Sequence, residues 1–399
     1  MNIRRSLILL AALFGFVCCE PENVDPKQPE SGEEGKIDDG KDDGKDDGKD
    51  DVTFTFSAAT SKYASLKAAV YVSVDDPDKG TMTVDWGDGS KDSGSDAELS
   101  HKYTAAGKYT VKASLGSSSE EWEIEIGSIL ALDEAVKELY STPGKVWVMA
   151  HRSHTTDHSV PENSVAAVKA AIQAGADVIE TDTHRTSDGK IVISHDESVD
   201  NHTNGNGKIT SMTLKEVKRY SLTDRNGDVT NEKIPTLEEF LLAARGKAYV
   251  NLDYSPRTAS TKEVLDIVES LGMVQEVFMF CKDATFVEAV FRYNAEANAY
   301  VDSSDWASLL EGSNQYFLQV GWNSGQTQNT ECVKRCRTAY DSGVLCSVNL
   351  LHVNHDYIPE YAIDEDQLAS LFELYPECQM VHTDCPEELI SILKSQGRR

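Results

Sequence analysis

The chain has 399 residues, a hydrophobic share of 40% and a formal net charge of −29. Its length exceeds that of one small domain and its apolar share is ample for a buried core, so we expect two or three structural units. The acidic balance argues against nucleic-acid binding, because phosphate backbones are held by clustered Lys and Arg. An anionic substrate would therefore need a local cation, either a metal ion or a well-placed arginine.

The first 19 residues have the pattern of an export signal. Arg4 and Arg5 precede an apolar run over residues 7–17 that is too short for a stable membrane span. The run ends at Cys18 and Cys19, which resembles a bacterial lipoprotein signal with one of the two cysteines lipidated; an ordinary cleaved signal is the alternative. The pattern predicts an outer-membrane lipoprotein of the cell envelope, periplasmic or surface-exposed, that associates with the membrane through its N-terminal lipid.

Residues 20–51 form an acidic segment that repeats Gly-Lys-Asp-Asp from Gly40, Gly44 and Gly48. Such a segment cannot bury enough apolar surface to fold, so it is interpreted as a disordered tether.

Residues 52–127 alternate apolar and polar positions in short runs that are separated by Gly, Asp and Ser turns. This pattern predicts a small antiparallel β-sandwich. Residues 84–90 read Val-Asp-Trp-Gly-Asp-Gly-Ser, which resembles the polycystic-kidney-disease-type (PKD) domain. The resemblance implies a spacer or adhesion module that contacts a glycan or a protein, with Asp88 as a turn former.

Short buried strands alternate with amphipathic helices across residues 145–399, after a predicted linker helix in residues 128–144. The strands are predicted at residues 146–150, 178–183, 248–252, 277–280, 299–301, 317–320, 344–348 and 380–383. Eight such repeats are typical of a TIM-type (β/α)8 barrel. A doubly wound open sheet is the alternative, but no Gly-rich phosphate loop follows the first strand.

Six cysteines lie in this region, scattered over predicted strands and helices. Cys332 and Cys336 are one helical turn apart, without a second pair to complete a zinc site. We interpret most of the six as reduced, buried, small apolar residues.

Carboxylates cluster where the first barrel strands end. Glu180 and Asp182 end the second strand, and their i, i+2 spacing places both on the same side of it; Asp253 ends the third strand. The ends of barrel strands line one mouth, so these side chains are candidate ligands there. Three oxygen ligands suit Ca²⁺ or Mg²⁺ better than zinc.

Two histidines complete the candidate site. His151 follows the first strand, and His195 follows residues 186–193, whose Asp-Gly turn predicts a hairpin that returns the chain to the mouth. With ordinary pKa values near 6.5, two imidazoles can divide the removal and the donation of a proton.

The order of these motifs resembles the glycerophosphodiester phosphodiesterase family over residues 146–393. The motifs are His-Arg at 151–152, Pro-Glu-Asn-Ser at 161–164, Gly-Ala-Asp-Val-Ile-Glu-Thr-Asp at 175–182, Thr-Ser-Asp-Gly at 186–189, His-Asp at 195–196 and Thr-Asp-Cys-Pro at 383–386. The resemblance implies acid and base roles for His151 and His195 and phosphate contact by Arg152. It also implies a divalent cation held by three carboxylates with a fourth nearby: Glu180, Asp182 and Asp253, with Glu162 beside them.

The chain departs from the family pattern at two places. Ser153 replaces the glycine that follows His-Arg in the family. In the strand-three Glu-x-Lys motif, Asp253 replaces the glutamate, which shortens one metal ligand, and Ser255 replaces the lysine. We expect Tyr254 and Ser255 to contact substrate together with His184 and Trp322. The other histidines near the motifs, at positions 154, 158 and 202, are predicted to lie on the rim or the surface.

The sequence thus predicts a metal-dependent hydrolase that cleaves small glycerophosphodiesters, the deacylated phospholipid headgroups, to an alcohol and a glycerol phosphate. Two alternatives remain open. One is a phospholipase-like phosphodiesterase for intact or inositol-containing lipids, and the other is a non-enzymatic surface-binding lipoprotein.

Overall fold

The computed structural model describes residues 52–253, 259–302, 313–321, 330–351 and 365–399. The predicted signal and tether, residues 1–51, and the predicted substrate residues Tyr254, Ser255 and Trp322 lie outside these ranges. Residues Val52–Arg399 form one compact unit.

The N-terminal part of this unit is mainly β-structure, with one turn of 3-10 helix at Pro77–Lys79. Its strands are β1 (Phe54–Phe56), β2 (Tyr63–Leu66), β3 (Ala69–Val74), β4 (Met82–Asp85), β5 (Lys91–Gly94), β6 (Glu98–Lys102), β7 (Gly107–Leu115) and β8 (Ser118–Leu130). They form a three-stranded sheet, β1-β3-β6, and a five-stranded sheet, β2-β8-β7-β4-β5. All neighbours are antiparallel except β2 and β8, which pair in parallel. The predicted β-sandwich is therefore confirmed, with one parallel pair that the alternation did not reveal.

Apolar residues at alternate strand positions fill the space between the two sheets. Trp86 and Val72 are fully buried there. The Trp86 indole N–H donates to Asp92 (2.8 Å), and the Tyr103 hydroxyl donates to the Trp86 carbonyl (2.7 Å). Asp88 accepts from the backbone N–H of Ser90 (3.0 Å), so it closes the turn as predicted.

A helix and eight parallel strands with their connecting elements follow. They are α1 (Leu132–Ser141), β9 (Trp147–Ala150), α2 (Val165–Ala174), β10 (Val178–Arg185), β11 (Ile191–Ile193), α3 (Leu214–Val217), α4 (Leu237–Ala244), β12 (Tyr249–Asp253), α5 (Thr261–Ser270), β13 (Val277–Cys281), α6 (Ala284–Tyr293), β14 (Asn298–Asp302), β15 (Gln315–Gly321), α7 (Thr330–Asp341), β16 (Leu345–Leu350), α8 (Glu365–Leu374), β17 (Cys378–Thr383) and α9 (Pro386–Ser395). The strand order runs from β9 through β10 and β12 to β17, and β17 pairs with β9, so the sheet closes into a barrel. This confirms the TIM-type fold.

Local sequence signals explain how the helices begin and end. Ser164 caps α2 by accepting from the backbone N–H of Ala167 (2.9 Å), and Gly175 ends the helix with a φ of 103°. Thr236 and Ser260 start α4 and α5 with reciprocal capping boxes. None of the helices in the described part of the chain has the length and apolar run that crossing a bilayer requires.

The two sides of each barrel strand have different partners. Outward residues such as Val148 and Val250 pack against the surrounding helices. Inward residues near the strand starts form an aromatic layer, which includes Trp147, Tyr249 and Phe317. Trp147 stacks on Tyr249 with ring centroids 4.9 Å apart. This end of the barrel is therefore filled by side chains and is called the floor below.

Helix α1 covers the floor. Its residues Leu132, Val136 and Leu139 are buried in the same cluster as the aromatic layer. The Gln379 side chain donates to the Leu139 carbonyl (2.7 Å), which fixes the helix to strand β17. The segment that the sequence predicted to be a linker helix is thus a helix whose apolar side closes one end of the barrel.

The described cysteines are free thiols. Cys281, Cys336, Cys346 and Cys378 are buried, and Cys385 is half-buried. The sulfur atoms of Cys336 and Cys346 lie 3.2 Å apart inside the protein. These residues fit the prediction of reduced, mostly buried thiols; the side chain of Cys332 lies outside the described set.

Candidate active site

The first site element is a tight turn directly after β9. His151, Arg152 and Ser153 form one turn of 3-10 helix in which Arg152 (φ 48°) and Ser153 (φ 60°) are left-handed. Left-handed backbone costs roughly 1–2 kcal/mol at a non-glycine residue. The Arg152 backbone N–H donates to Glu180 (2.8 Å), so a carboxylate from the neighbouring strand helps to hold the turn.

Asp384, directly after β17, holds two imidazoles of this turn. The Nδ1 atoms of His151 and His154 lie 2.6 and 2.9 Å from its Oδ1 atom. Burial alone would raise the pKa of Asp384, but the bonds from these two histidines hold that pKa far below its ordinary range. Burial lowers the pKa of His151 although Asp384 and Glu180 oppose the change. His151 is therefore oriented by a carboxylate and favours its neutral form.

Glu162 forms a second carboxylate centre. Its oxygens lie 2.9 Å from His154 Nε2, 3.2 Å from Arg152 Nη1 and 3.7 Å from His202 Nδ1. Burial disfavours charge on His154, but its bonds to Asp384 and Glu162 raise its pKa. Because both ring nitrogens face carboxylates, His154 is held as an imidazolium.

His195 has a carboxylate partner of its own. Its Nδ1 atom lies 2.8 Å from Asp196, and Asn201 donates to the other oxygen of Asp196 (2.7 Å). His202 Nε2 lies 3.5 Å from Asp196. The histidine follows β11, which pairs antiparallel with β10, so the predicted hairpin is confirmed. His184 is buried and approaches the His195 carbonyl (3.3 Å) through Nε2.

The segment from β11 to α4 supplies one wall of the site. A small apolar core of its own, which includes Val199, Ile209 and Leu222, supports it. A cleft of about 520 Å³ opens beside His195 and Asp196, a size suited to a small molecule.

The predicted carboxylate ligands point towards one region but do not form one tight group. Asp182 and Asp253 are register partners on adjacent strands, and Glu180 lies two positions before Asp182. Burial alone would lower the pKa of Arg152, but the charges of Glu162, Asp182 and Glu180 around it outweigh burial and raise that pKa. Arg152 therefore lies inside a carboxylate cluster in this structure.

Two groups among the described residues bring three ligand atoms within 4.8 Å of one another: His151, His154 and Asp384, and His151, Glu180 and His382. Neither contains Asp182 or Asp253, and both contain residues to which the sequence interpretation gave no ligand role. Burial would raise the pKa of Glu180, but His382, His151 and the Arg152 N–H outweigh it and lower that pKa to about 2.

Three residues of the site were therefore missed: His154, His382 and Asp384. His154 was predicted on the rim, whereas the structure holds it, half-buried, between two carboxylates; His202 likewise approaches two carboxylates. Asp384 was noted only as part of a motif, although its position directly after the last strand was a usable signal. A histidine inside a fully buried strand was the signal for His382.

Comparison with known proteins supports the same reading of the barrel. The model of the "Glycerophosphoryl diester phosphodiesterase family" matches residues 151–311. The glycerophosphodiester phosphodiesterase of Caldanaerobacter subterraneus subsp. tengcongensis is 45% identical over 169 residues, which are 42% of this chain and 61% of the relative. The chain thus spans less than two thirds of that relative's length.

Solved structures extend the likeness in fold to the whole barrel. A glycerophosphoryl diester phosphodiesterase from Parabacteroides distasonis has a TM-score of 0.56 at 20% identity and covers 65% of this chain and 92% of its own. An Oleispira antarctica phosphodiesterase, solved in complex with the product sn-glycerol-3-phosphate, has a TM-score of 0.50 at 21% identity and covers 64% and 99%. At these identities the comparison concerns the fold.

Proposed function

We propose that the protein hydrolyses glycerophosphodiesters to an alcohol and a glycerol phosphate. The observation that carries the proposal is a pair of imidazoles, each held through Nδ1 by a carboxylate: His151 by Asp384 (2.6 Å) and His195 by Asp196 (2.8 Å). A carboxylate that accepts the Nδ1 proton fixes the ring orientation and leaves Nε2 as the nitrogen for proton exchange. The family match of residues 151–311 and the product-bound neighbour support the choice of substrate.

The two imidazoles have complementary tasks in this proposal. His151, neutral because burial lowers its pKa, removes the proton from the attacking hydroxyl as the new oxygen–phosphorus bond forms. His195 donates a proton to the leaving oxygen as its bond to phosphorus breaks. In glycerophosphodiesters a neighbouring hydroxyl of the glycerol can be the first nucleophile, and water then opens the cyclic product.

The residues at the mouth fit a divalent cation. Glu180 and Asp182 are buried and acidic, and the ring nitrogens of His382 have no hydrogen-bond partner among the described residues. Glu180, Asp182 and Asp253 would hold the cation, with Glu162 nearby; from these carboxylates alone, Ca²⁺ or Mg²⁺ is expected. A bound cation would offset negative charge on the phosphoryl oxygens. Arg152 would contribute its positive charge from within the carboxylate cluster.

The test is release of glycerol phosphate from glycerophosphocholine, glycerophosphoethanolamine and glycerophosphoinositol by the purified protein. We expect turnover with added Ca²⁺ or Mg²⁺ and its loss in excess EDTA. His195→Ala should abolish most of the activity, and the matched change His158→Ala, at a partly exposed histidine outside the two carboxylate centres, should not. Full activity in EDTA would refute the proposed cation. Equal losses of activity in both variants would refute the specific role of His195.

We further propose that the N-terminal lipid and the PKD-like sandwich place the enzyme at the cell envelope. The support is the sequence pattern of residues 1–19 and of residues 84–90. Replacing Cys18 and Cys19 together should release the protein from membranes into the soluble fraction. Continued membrane association would indicate a partner of another kind.

A further inference from the structure

The inner wall of the barrel changes character along its strands. On β17, Met380 belongs to the apolar floor. His382 lies two positions later, so its side chain points to the same side of the strand. On β10 the same relation holds between Val178 in the floor and Glu180. Both polar side chains therefore point into the barrel, one layer above the floor.

His382 is a buried histidine whose ring nitrogens lack hydrogen-bond partners among the described residues. It is only 6% exposed. Its nearest charged neighbour is Glu180, which is 4% exposed and whose Oε2 atom lies 3.6 Å from Nε2. That separation is too long for a normal N–H···O hydrogen bond.

The same separation suits two ligands of one ion. Two donor atoms that are each about 2.1 to 2.4 Å from a cation lie roughly 3 to 4 Å apart at the usual coordination angles. A ring nitrogen of His151 belongs to the same group within 4.8 Å, and its ring meets that of His382 edge to face with centroids 5.0 Å apart.

Two amide oxygens beside these residues are also without partners. Asn251 is the register partner of Glu180, and Asn349 is the register partner of His382. The Oδ1 atoms of both are buried and have no hydrogen-bond partner within the described ranges. Buried acceptors left unsatisfied are costly, and a cation among them would satisfy several at once.

We propose that His382 is a nitrogen ligand of the cation bound by Glu180, so that the site prefers a transition metal such as Co²⁺, Ni²⁺ or Zn²⁺ over Ca²⁺ and Mg²⁺. Imidazole suits the first group, whereas Ca²⁺ and Mg²⁺ take oxygen ligands. The inference rests on the proposed function only in taking Glu180 as a cation ligand.

The test measures metal binding to the full protein rather than turnover. Titration with Co²⁺ and with Mg²⁺ gives the ratio of their dissociation constants in wild type, in His382→Phe and in the matched control His158→Phe. We expect His382→Phe to weaken Co²⁺ binding by about ten-fold or more, because mutation of a residue that only hydrogen-bonds to a metal ligand already weakens metal binding by about that factor. Mg²⁺ binding should change much less. The control should match wild type. An unchanged Co²⁺ affinity in folded His382→Phe overturns the proposal.

A second measurement needs no variant, in case His382→Phe does not fold. Wild-type protein loaded with Mn²⁺ should show coupling to a directly bound ¹⁴N nucleus in pulsed electron paramagnetic resonance, and its absence overturns the proposal. The binding result is also separable from catalysis. Tight, His382-dependent Co²⁺ binding without diester hydrolysis would refute the proposed function and leave this inference intact. Diester hydrolysis with Co²⁺ binding that does not depend on His382 would refute this inference and leave the proposed function intact.

Discussion

The floor and the mouth of the barrel are built on the same strands but obey different chemistry. In β10, Val178 packs in the floor, and Glu180 and Asp182 follow at the mouth after two and four residues. The floor satisfies its residues by packing against α1, whereas the mouth contains buried charges that depend on one another. The comparison shows that apolar packing and buried charge are divided along the axis of the barrel, within the length of a single strand.

One buried charge near the floor is an instructive exception. Glu276 is fully buried just before β13 and accepts from Tyr63 Oη (2.5 Å), Ser65 Oγ (3.0 Å) and the backbone N–H of Gly246 (2.9 Å). Tyr63 and Ser65 belong to the sandwich strand β2. This carboxylate therefore joins the sandwich to the barrel, and its role is structural.

The largest effect is expected at the mouth. His151→Ala and His195→Ala should each lower the turnover of glycerophosphodiesters by on the order of 10² to 10⁴, the usual contribution of a general acid or base. Both variants should still fold and unfold cooperatively, because neither side chain belongs to the apolar clusters. Loss of activity in only one of the two variants would contradict the division of work between the imidazoles.

The next effect is expected near the floor, where a substitution should lower stability and leave activity unchanged. Glu276→Ala leaves three buried donors without their acceptor, at about 1–3 kcal/mol for each, so we expect the free energy of unfolding to fall by at least about 3 kcal/mol. Urea denaturation measures it, with exposed Glu269→Ala as the control. The folded variant should keep its kcat/KM; a selective loss of activity would break the separation of floor and mouth.

The pH dependence of stability sharpens the comparison further. Burial raises the pKa of Glu276 above its ordinary value of 4.5, although its hydrogen bonds lower it in part. A group with a raised folded pKa gives its stabilisation fully below the unfolded pKa and loses it as the pH rises through the folded value. The stability of wild type relative to Glu276→Gln should therefore decline from pH 4.5 upward. A relative stability that rises with pH would contradict this assignment.

The smallest effect concerns the strained turn. Ser153→Gly should stabilise the protein by roughly 0.5 kcal/mol, because the relief of about 1–2 kcal/mol of left-handed strain exceeds the entropy that glycine adds to the unfolded chain, about 0.4–1 kcal/mol. Ser153→Ala removes the hydroxyl and keeps the strain, so it separates the two causes. If both variants gain equally, the buried hydroxyl rather than the backbone is responsible.

The sequence predicted the barrel well because each strand is a short apolar run between clear helix signals. The predicted run at residues 277–280 is observed as Val277–Cys281, and that at 344–348 as Leu345–Leu350. Local periodicity determines such elements, and closure of the sheet follows from their number and order.

The pairing of side chains at the mouth was less predictable. His151 and Asp384 are 233 positions apart in the chain and meet only because β17 pairs with β9. Local patterns place both residues at strand ends but do not say which imidazole a given carboxylate will hold. His154 was misjudged for the same reason, since its burial arises from Asp384 and Glu162 together.

The continuous run from β8 into α1 determines where a shortened version of the protein can begin. Leu130, the last residue of β8, accepts from the Tyr249 hydroxyl (2.8 Å), and α1 begins two residues later beneath the aromatic layer. A fragment that starts at Val146 would carry an uncovered apolar surface at Trp147 and would aggregate in water. A piece suited to expression, crystallisation or redesign should therefore keep α1 with the barrel. Because Glu276 also accepts from Tyr63 and Ser65 of β2, residues 52–399 retain every one of these contacts.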